Sequence, residues 1–182
     1  MATTRTDQPM ATRLGAALAS SGCRCAPLRS ALDRYLERLL TELDERSTAM
    51  PGAVGVREAL RPHVVLGVVS NFPEPTFVRS TLARSRLDGF LDTIVVSAEV
   101  GRMKPDPVPF EVAFERLALE PAEVLFVGDD LRSDIAGAQS LGCRTAWLPL
   151  DPAGVAVGPV QPDYRLGSLT DLPAVLWPGG HG

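Results

Sequence analysis

V-L-F-V-G-D-D-L-R-S-D, from Val124 to Asp134, is the stretch whose reading decides the fold. Val124 to Val127 is a short apolar run of β-branched, aromatic and leucine side chains, which predicts a strand buried on both faces. A glycine and three carboxylates follow it without a spacer, and the spacing then predicts a helix from Ser133 to Leu141, ended by Gly142. A strand that delivers acidic side chains from its carboxyl end into a helix start belongs to a parallel α/β sheet, where ligands sit beyond the strand tips.

Working outward, V-V-L-G-V-V-S from Val64 to Ser70 is a second run of this kind. It places the Ser70 hydroxyl at a strand end, with Asn71 next. Between the two runs lies G-R-M-K-P-D-P, Gly101 to Pro107, which carries Lys104, the chain's single lysine. Every other fixed positive side-chain charge is arginine. A compact ammonium can lie between several anionic oxygens where a planar guanidinium demands a two-pronged partner, so Lys104 reads as part of an anion site. Further strands are predicted at Thr93 to Val96 and Thr145 to Leu148, with helices at Glu74 to Leu87 and Pro107 to Leu119. This alternation argues for a parallel sheet with helical crossovers.

The three segments together resemble the haloacid dehalogenase superfamily. Ser70 matches its second motif, Lys104 its third, and Gly128, Asp129 and Asp134 its fourth; the likeness runs from about Pro51 to about Leu176. The resemblance implies a Rossmann-like three-layer α/β fold with a helical cap. It implies that Ser70 and Lys104 hold a phosphoryl or carboxylate group and that Asn71 lines the substrate pocket. It further implies that Asp129 ligates magnesium and that Asp134 supports the metal or the lysine.

The first motif of that superfamily, an apolar strand carrying the nucleophilic aspartate, is not found. Before Ser70 the aspartates are Asp7, in polar T-R-T-D-Q-P, and Asp33 and Asp44, in an amphipathic helical stretch. A nucleophile must be held rigidly, because misplacement by about 1 Å costs roughly a hundredfold in rate. The expectation is therefore a half-site for phosphate and metal, with magnesium binding weakened and ordinary phosphatase or dehalogenase turnover lost. Such a protein would act as a binding module or in a remodelled reaction. The alternative is an active hydrolase whose nucleophile strand comes from another chain or from sequence upstream of Met1. The family's sheet puts the missing strand between those ending at Ser70 and Asp129, so either these two pair directly or another segment fills the slot.

With 182 residues, 45% of them apolar, the chain can bury one substantial core. A net charge of −4 gives no electrostatic case for nucleic acid or an anionic membrane surface. No apolar stretch approaches the roughly 20 residues that span a bilayer, and a cytoplasmic location is expected. Cys23, Cys25 and Cys143 leave one thiol over in any internal pairing and lack zinc-site spacing, so reduced thiols are expected. His63, His181, Asp130 and Arg132 are read as incidental to the site, and Trp147 as core.

Domain organisation is expected as a loose terminus over 1–10, a partial helical cap over 11–50, the α/β core over 51–178 and a tail over 179–182. In the cap, Leu28, Leu32, Tyr35, Leu36, Leu39, Leu40 and Leu43 recur at helical spacing. With no opposite cap half to cover it, this stripe is expected to seal a homodimer. The expected ligand is a small phosphorylated or carboxylate-bearing molecule.

Overall fold

The computed structural model describes residues 8–20, 26–151 and 158–179. The expectations for the first seven residues and for Cys23, Cys25 and His181 lie outside them.

Two helices lead the chain, α1 (Met10–Ser20) and α2 (Ala26–Arg46), followed by α3 (Ala53–Leu60). Alternation then begins: β1 (Gly67–Ser70), α4 (Pro75–Arg84), β2 (Thr93–Val96), α5 (Ser97–Val100) and α6 (Val108–Leu117). Next come β3 (Leu125–Gly128), a π turn over Leu131–Ile135, α7 (Ala136–Ser140), β4 (Arg144–Trp147), β5 (Tyr164–Arg165) and α8 (Leu172–Leu176). Proline opens α4 and stands within the first turns of α6 and α8, where a missing N–H costs nothing.

The apolar run at Val64 contributes only its second half to a strand. Val64 still donates its N–H to Leu60 at the end of α3, and the N–H of Leu66 goes to the Asp92 carboxylate instead of a ladder. Regular pairing starts at Gly67.

All strand pairs are parallel, but they form two sheets. β1 pairs with β2 in the register Gly67 to Thr93, and β3, β4 and β5 make the second sheet, with Leu125 opposite Arg144 and Ala146 opposite Tyr164. The sequence left two ways to close the sheet, direct pairing of the Ser70 and Asp129 strands or a filling segment. Among the described residues neither occurs: β1 and β3 remain unpaired with each other.

Helices hold the halves together. On one face Val56 and Leu60 of α3 pack with Ala146, Leu148, Leu166 and Leu172, and against Leu66, Leu125 and Val127. The same helix sends Arg57 to the Arg86 carbonyl and over the Phe90 ring, 3.6 Å from its centre, on the approach to β2. On the other face α6 packs on β1 and β2, while its fully buried Phe110 meets Phe126 of β3 with ring centres 4.9 Å apart. Phe114, Ala138 and Cys143 complete that cluster, and burial pushes the Cys143 thiol up to about 11.

The leading helices dock on α4. Asp44 of α2 accepts from the Thr81 hydroxyl and the Arg84 guanidinium, and the Met10 N–H donates to Glu74 at 2.8 Å. Leu36 is thereby buried, which corrects the expectation of a wholly uncovered stripe. Leu28, Tyr35 and Leu43 stay exposed.

Candidate anion site at the strand tips

The site is assembled from the ends of β1 and β3 and the loop after α5. Gly101, with φ of 72°, takes the left-handed turn that ends α5 and releases this loop. The Lys104–Pro105 peptide bond is cis. The loop is clamped by Asn71: its amide nitrogen donates to the Lys104 carbonyl at 2.9 Å, and its oxygen accepts from the Lys104 N–H at 2.8 Å. Asn71, expected to line a substrate pocket, thus spends both ends of its amide on fixing the lysine's backbone. Ser70, one residue earlier, is half-buried at the end of β1.

The Lys104 side chain crosses between the half-sheets. Its Nζ donates to the Val69 carbonyl at 2.6 Å and pairs with Asp134 Oδ1 at 2.9 Å, and it lies 5.3 Å from the centre of the Phe126 ring. An ammonium has three N–H donors, and these two oxygens take two of them.

Asp134 is held as tightly from its other side. Its Oδ2 accepts the N–H groups of Asp129 and Asp130 at 3.2 Å each, and Ser133 Oγ donates to Oδ1 at 3.4 Å. Gly128 makes room for it. A Cβ there would sit 2.4 Å from Asp134 Cβ and from Asp134 Oδ2. Asp130 accepts from the N–H groups of Ser133 and Arg132, which caps the π turn and holds its carboxyl below the usual carboxylate range. The D-x-x-S spacing carried this capping signal. Trp147, buried as expected, anchors the loop by donating its indole N–H to the Asp129 carbonyl at 2.8 Å.

Lys104, Asn71 and Asp134 therefore form one bonded unit, with Ser70 and the exposed Asp129 carboxylate beside it in the chain. The role of the Val69 carbonyl was not legible, since any residue of β1 could have supplied it.

These donors fit magnesium poorly. The ion wants near-octahedral oxygen coordination, yet both Asp134 oxygens are committed to N–H donors and the lysine, and Asp130 Oδ1 is committed to the Arg132 and Ser133 N–H groups. Among the described residues no three His, Cys, Asp or Glu side chains form a metal-sized cluster. Asp33 and Asp44 lie on α2, and the Asp44 carboxylate is taken by Thr81 and Arg84 of α4.

A lysine loop, a serine and an acidic loop converging at the carboxyl ends of parallel strands define a haloacid dehalogenase-type α/β protein, and the chain belongs to the haloacid dehalogenase-like hydrolase family. The family model matches residues 9–148. Among curated relatives, the pyrimidine 5'-nucleotidase YjjG of Escherichia coli (strain K12) is 34% identical over 146 residues, covering 77% of this chain and 62% of its own. The pyrophosphatase PpaX of Bacillus cereus (strain B4264) is 36% identical over 122 residues, 66% of this chain and 56% of its own. The chain thus spans less than two thirds of these relatives' length.

Solved structures agree on the fold. The 2-haloacid dehalogenase of Pseudomonas syringae pv. Tomato DC3000 superposes with a TM-score of 0.74 at 28% identity, over 88% of this chain and 66% of that one. A HAD phosphatase from Thermococcus onnurineus gives 0.68 at 30% identity, over 78% and 64%. Among the described residues no helix is long and apolar enough to cross a membrane.

Proposed function

We propose that this chain is the anion-holding half of a haloacid dehalogenase-type site, binding a small phosphorylated or carboxylate-bearing molecule without turning it over by itself. The observation that carries the reading is the Lys104 ammonium, fixed at the strand tips by Asn71 and Asp134. Two relatives are, by their names, a pyrimidine 5'-nucleotidase and a pyrophosphatase, which supports phosphate as the ligand group.

Hydrolysis through a covalent intermediate needs a carboxylate positioned to attack, and the carboxylates at this site are committed elsewhere or face solvent. Asp134 is spent on Lys104 and two backbone N–H groups. Asp129 follows β3 directly, its backbone held by Asp134 and Trp147, and is exposed to solvent. Weak magnesium binding follows from the same shortage of ligands.

Calorimetric titration with inorganic phosphate tests the binding, and hydrolysis of para-nitrophenyl phosphate with magnesium tests the chemistry. The expected result is phosphate binding that Lys104→Ala abolishes and Lys104→Arg only partly restores, with hydrolysis no faster than that of Asp129→Ala. Robust turnover lost in Asp129→Ala overturns the reading, as does equal phosphate binding by the parent chain and Lys104→Ala.

A further inference from the structure

Six phenylalanines are spread along the chain, and their surroundings divide them by role. Phe110, Phe114 and Phe126 belong to the core cluster that α6 forms with β3, and Phe90 lies under the Arg57 guanidinium. The other two stand apart. Phe72 and Phe77 stack on each other with ring centres 4.5 Å apart and planes 19° off parallel, outside both apolar core clusters, and each keeps partial exposure.

Chain continuity puts this pair beside the lysine. Phe72 directly follows Asn71, whose amide clamps the Lys104 backbone from both ends, and Lys104 Nζ itself sits on the Val69 carbonyl. Three residues span at most about 11 Å when fully extended, so the Phe72 backbone stands within one small molecule's length of the ammonium.

Phe72 is also held in place before any ligand arrives. The fully buried Ser97 donates its hydroxyl to the Phe72 carbonyl at 3.3 Å, and Pro73 and Pro75 stiffen the link into α4. Phe77, in the first turn of that helix, backs one face of the ring. A ligand that meets such a ring pays little ordering entropy on the protein's side.

We infer that Phe72, backed by Phe77, is the aromatic wall of the Lys104 site and selects, among phosphate monoesters, those whose organic group carries a planar aromatic ring. The inference rests on the anion site proposed above and adds the chemistry of the rest of the ligand. With the phosphate on Lys104, an aromatic group meets the remaining face or the edge of Phe72 in offset or edge-to-face contact, where ring quadrupoles attract beyond simple burial. An aliphatic ester makes no such contact.

The test uses the full chain, titrated calorimetrically with inorganic phosphate, phenyl phosphate and glycerol 2-phosphate. Phenyl phosphate should bind about fivefold more tightly than glycerol 2-phosphate, the usual worth of one aromatic pair. Phe72→Leu, which keeps apolar volume at the position, should bring that ratio to about one, and Phe72→Tyr should keep it near fivefold. In the parent chain, nuclear Overhauser contacts should link the phenyl protons of the ligand to the Phe72 ring. Equal affinity for the two esters while inorganic phosphate still binds overturns this inference alone, as do a ratio that Phe72→Leu leaves intact and the absence of those Overhauser contacts. A Phe72→Leu chain that loses all three ligands alike makes Phe72 a structural residue and overturns it too. A parent chain that binds no inorganic phosphate overturns the anion site and this inference together.

Discussion

Lys104 and Asp134 meet at 2.9 Å with side chains only 9% and 7% exposed, making them the most deeply buried ion pair among the described residues. The pair joins a loop beyond the first half-sheet to the turn beyond the second. Because Lys104 also bonds the Val69 carbonyl, one ammonium ties together two sheets that share no ladder.

Removing one partner of this pair should cost more than any exposed contact. Lys104→Ala leaves Asp134 buried beside two backbone donors without its countercharge, and a loss of about 3 kcal/mol is expected from denaturant unfolding. The exposed pair of Arg79 and Glu99, at 2.8 Å, should change stability by about 0.5 kcal/mol or less when Arg79→Ala is made. Equal effects at the two sites would show that the buried pair does not hold the halves together.

Gly128 and Gly55 should respond to alanine in opposite directions. A methyl at Gly128 would sit 2.4 Å from Asp134, so Gly128→Ala should destabilise by about 2 kcal/mol as the carboxylate is pushed off its donors. Gly55 lies inside α3 with nothing within 4 Å of a new Cβ, and Gly55→Ala should stabilise by about 0.5 to 1 kcal/mol. Thermal unfolding of the two variants checks both signs.

Asp130 gives the site an acid-sensitive element. Its carboxyl is held below the usual carboxylate range, chiefly by the Ser133 N–H. A carboxyl depressed in the folded state contributes stability above its unfolded pKa and loses it as pH falls through the folded value. Asp130→Asn should therefore flatten the acid limb of stability against pH, lowering stability at neutral pH and converging with the parent chain at low pH. An unchanged acid limb would count against this role.

The helical pair offers a sharper test of self-association than the whole stripe. Leu36 is buried within its own chain, whereas Leu28, Tyr35 and Leu43 are 46%, 63% and 41% exposed on one side of α2. If this side seals the proposed homodimer, Tyr35→Glu with Leu43→Glu should yield monomers in sedimentation, because two charges would enter an apolar seam unpaired. Leu36→Glu should instead lower stability at any protein concentration. A parent chain that sediments as a monomer would end the dimer proposal.

Much of this protein was legible in its residues because the relevant signals are local. The short β-branched runs ending at Ser70 and Val127, and the proline-opened helices between them, determined the order of strands and helices. A single lysine and a glycine followed by spaced aspartates marked the site. The ends of elements were less legible: the Val64 run pairs only from Gly67, since Leu60 and Asp92 take the backbone groups before it. Tertiary structure alone decided what closes on what. No local pattern could state that Asn71 would spend its amide on Lys104, that Lys104 would choose the Val69 carbonyl and Asp134, or that β1 and β3 would stay apart. Those outcomes depend on which groups distant segments bring within hydrogen-bond reach, and an unpaired strand edge has the same sequence as a paired one.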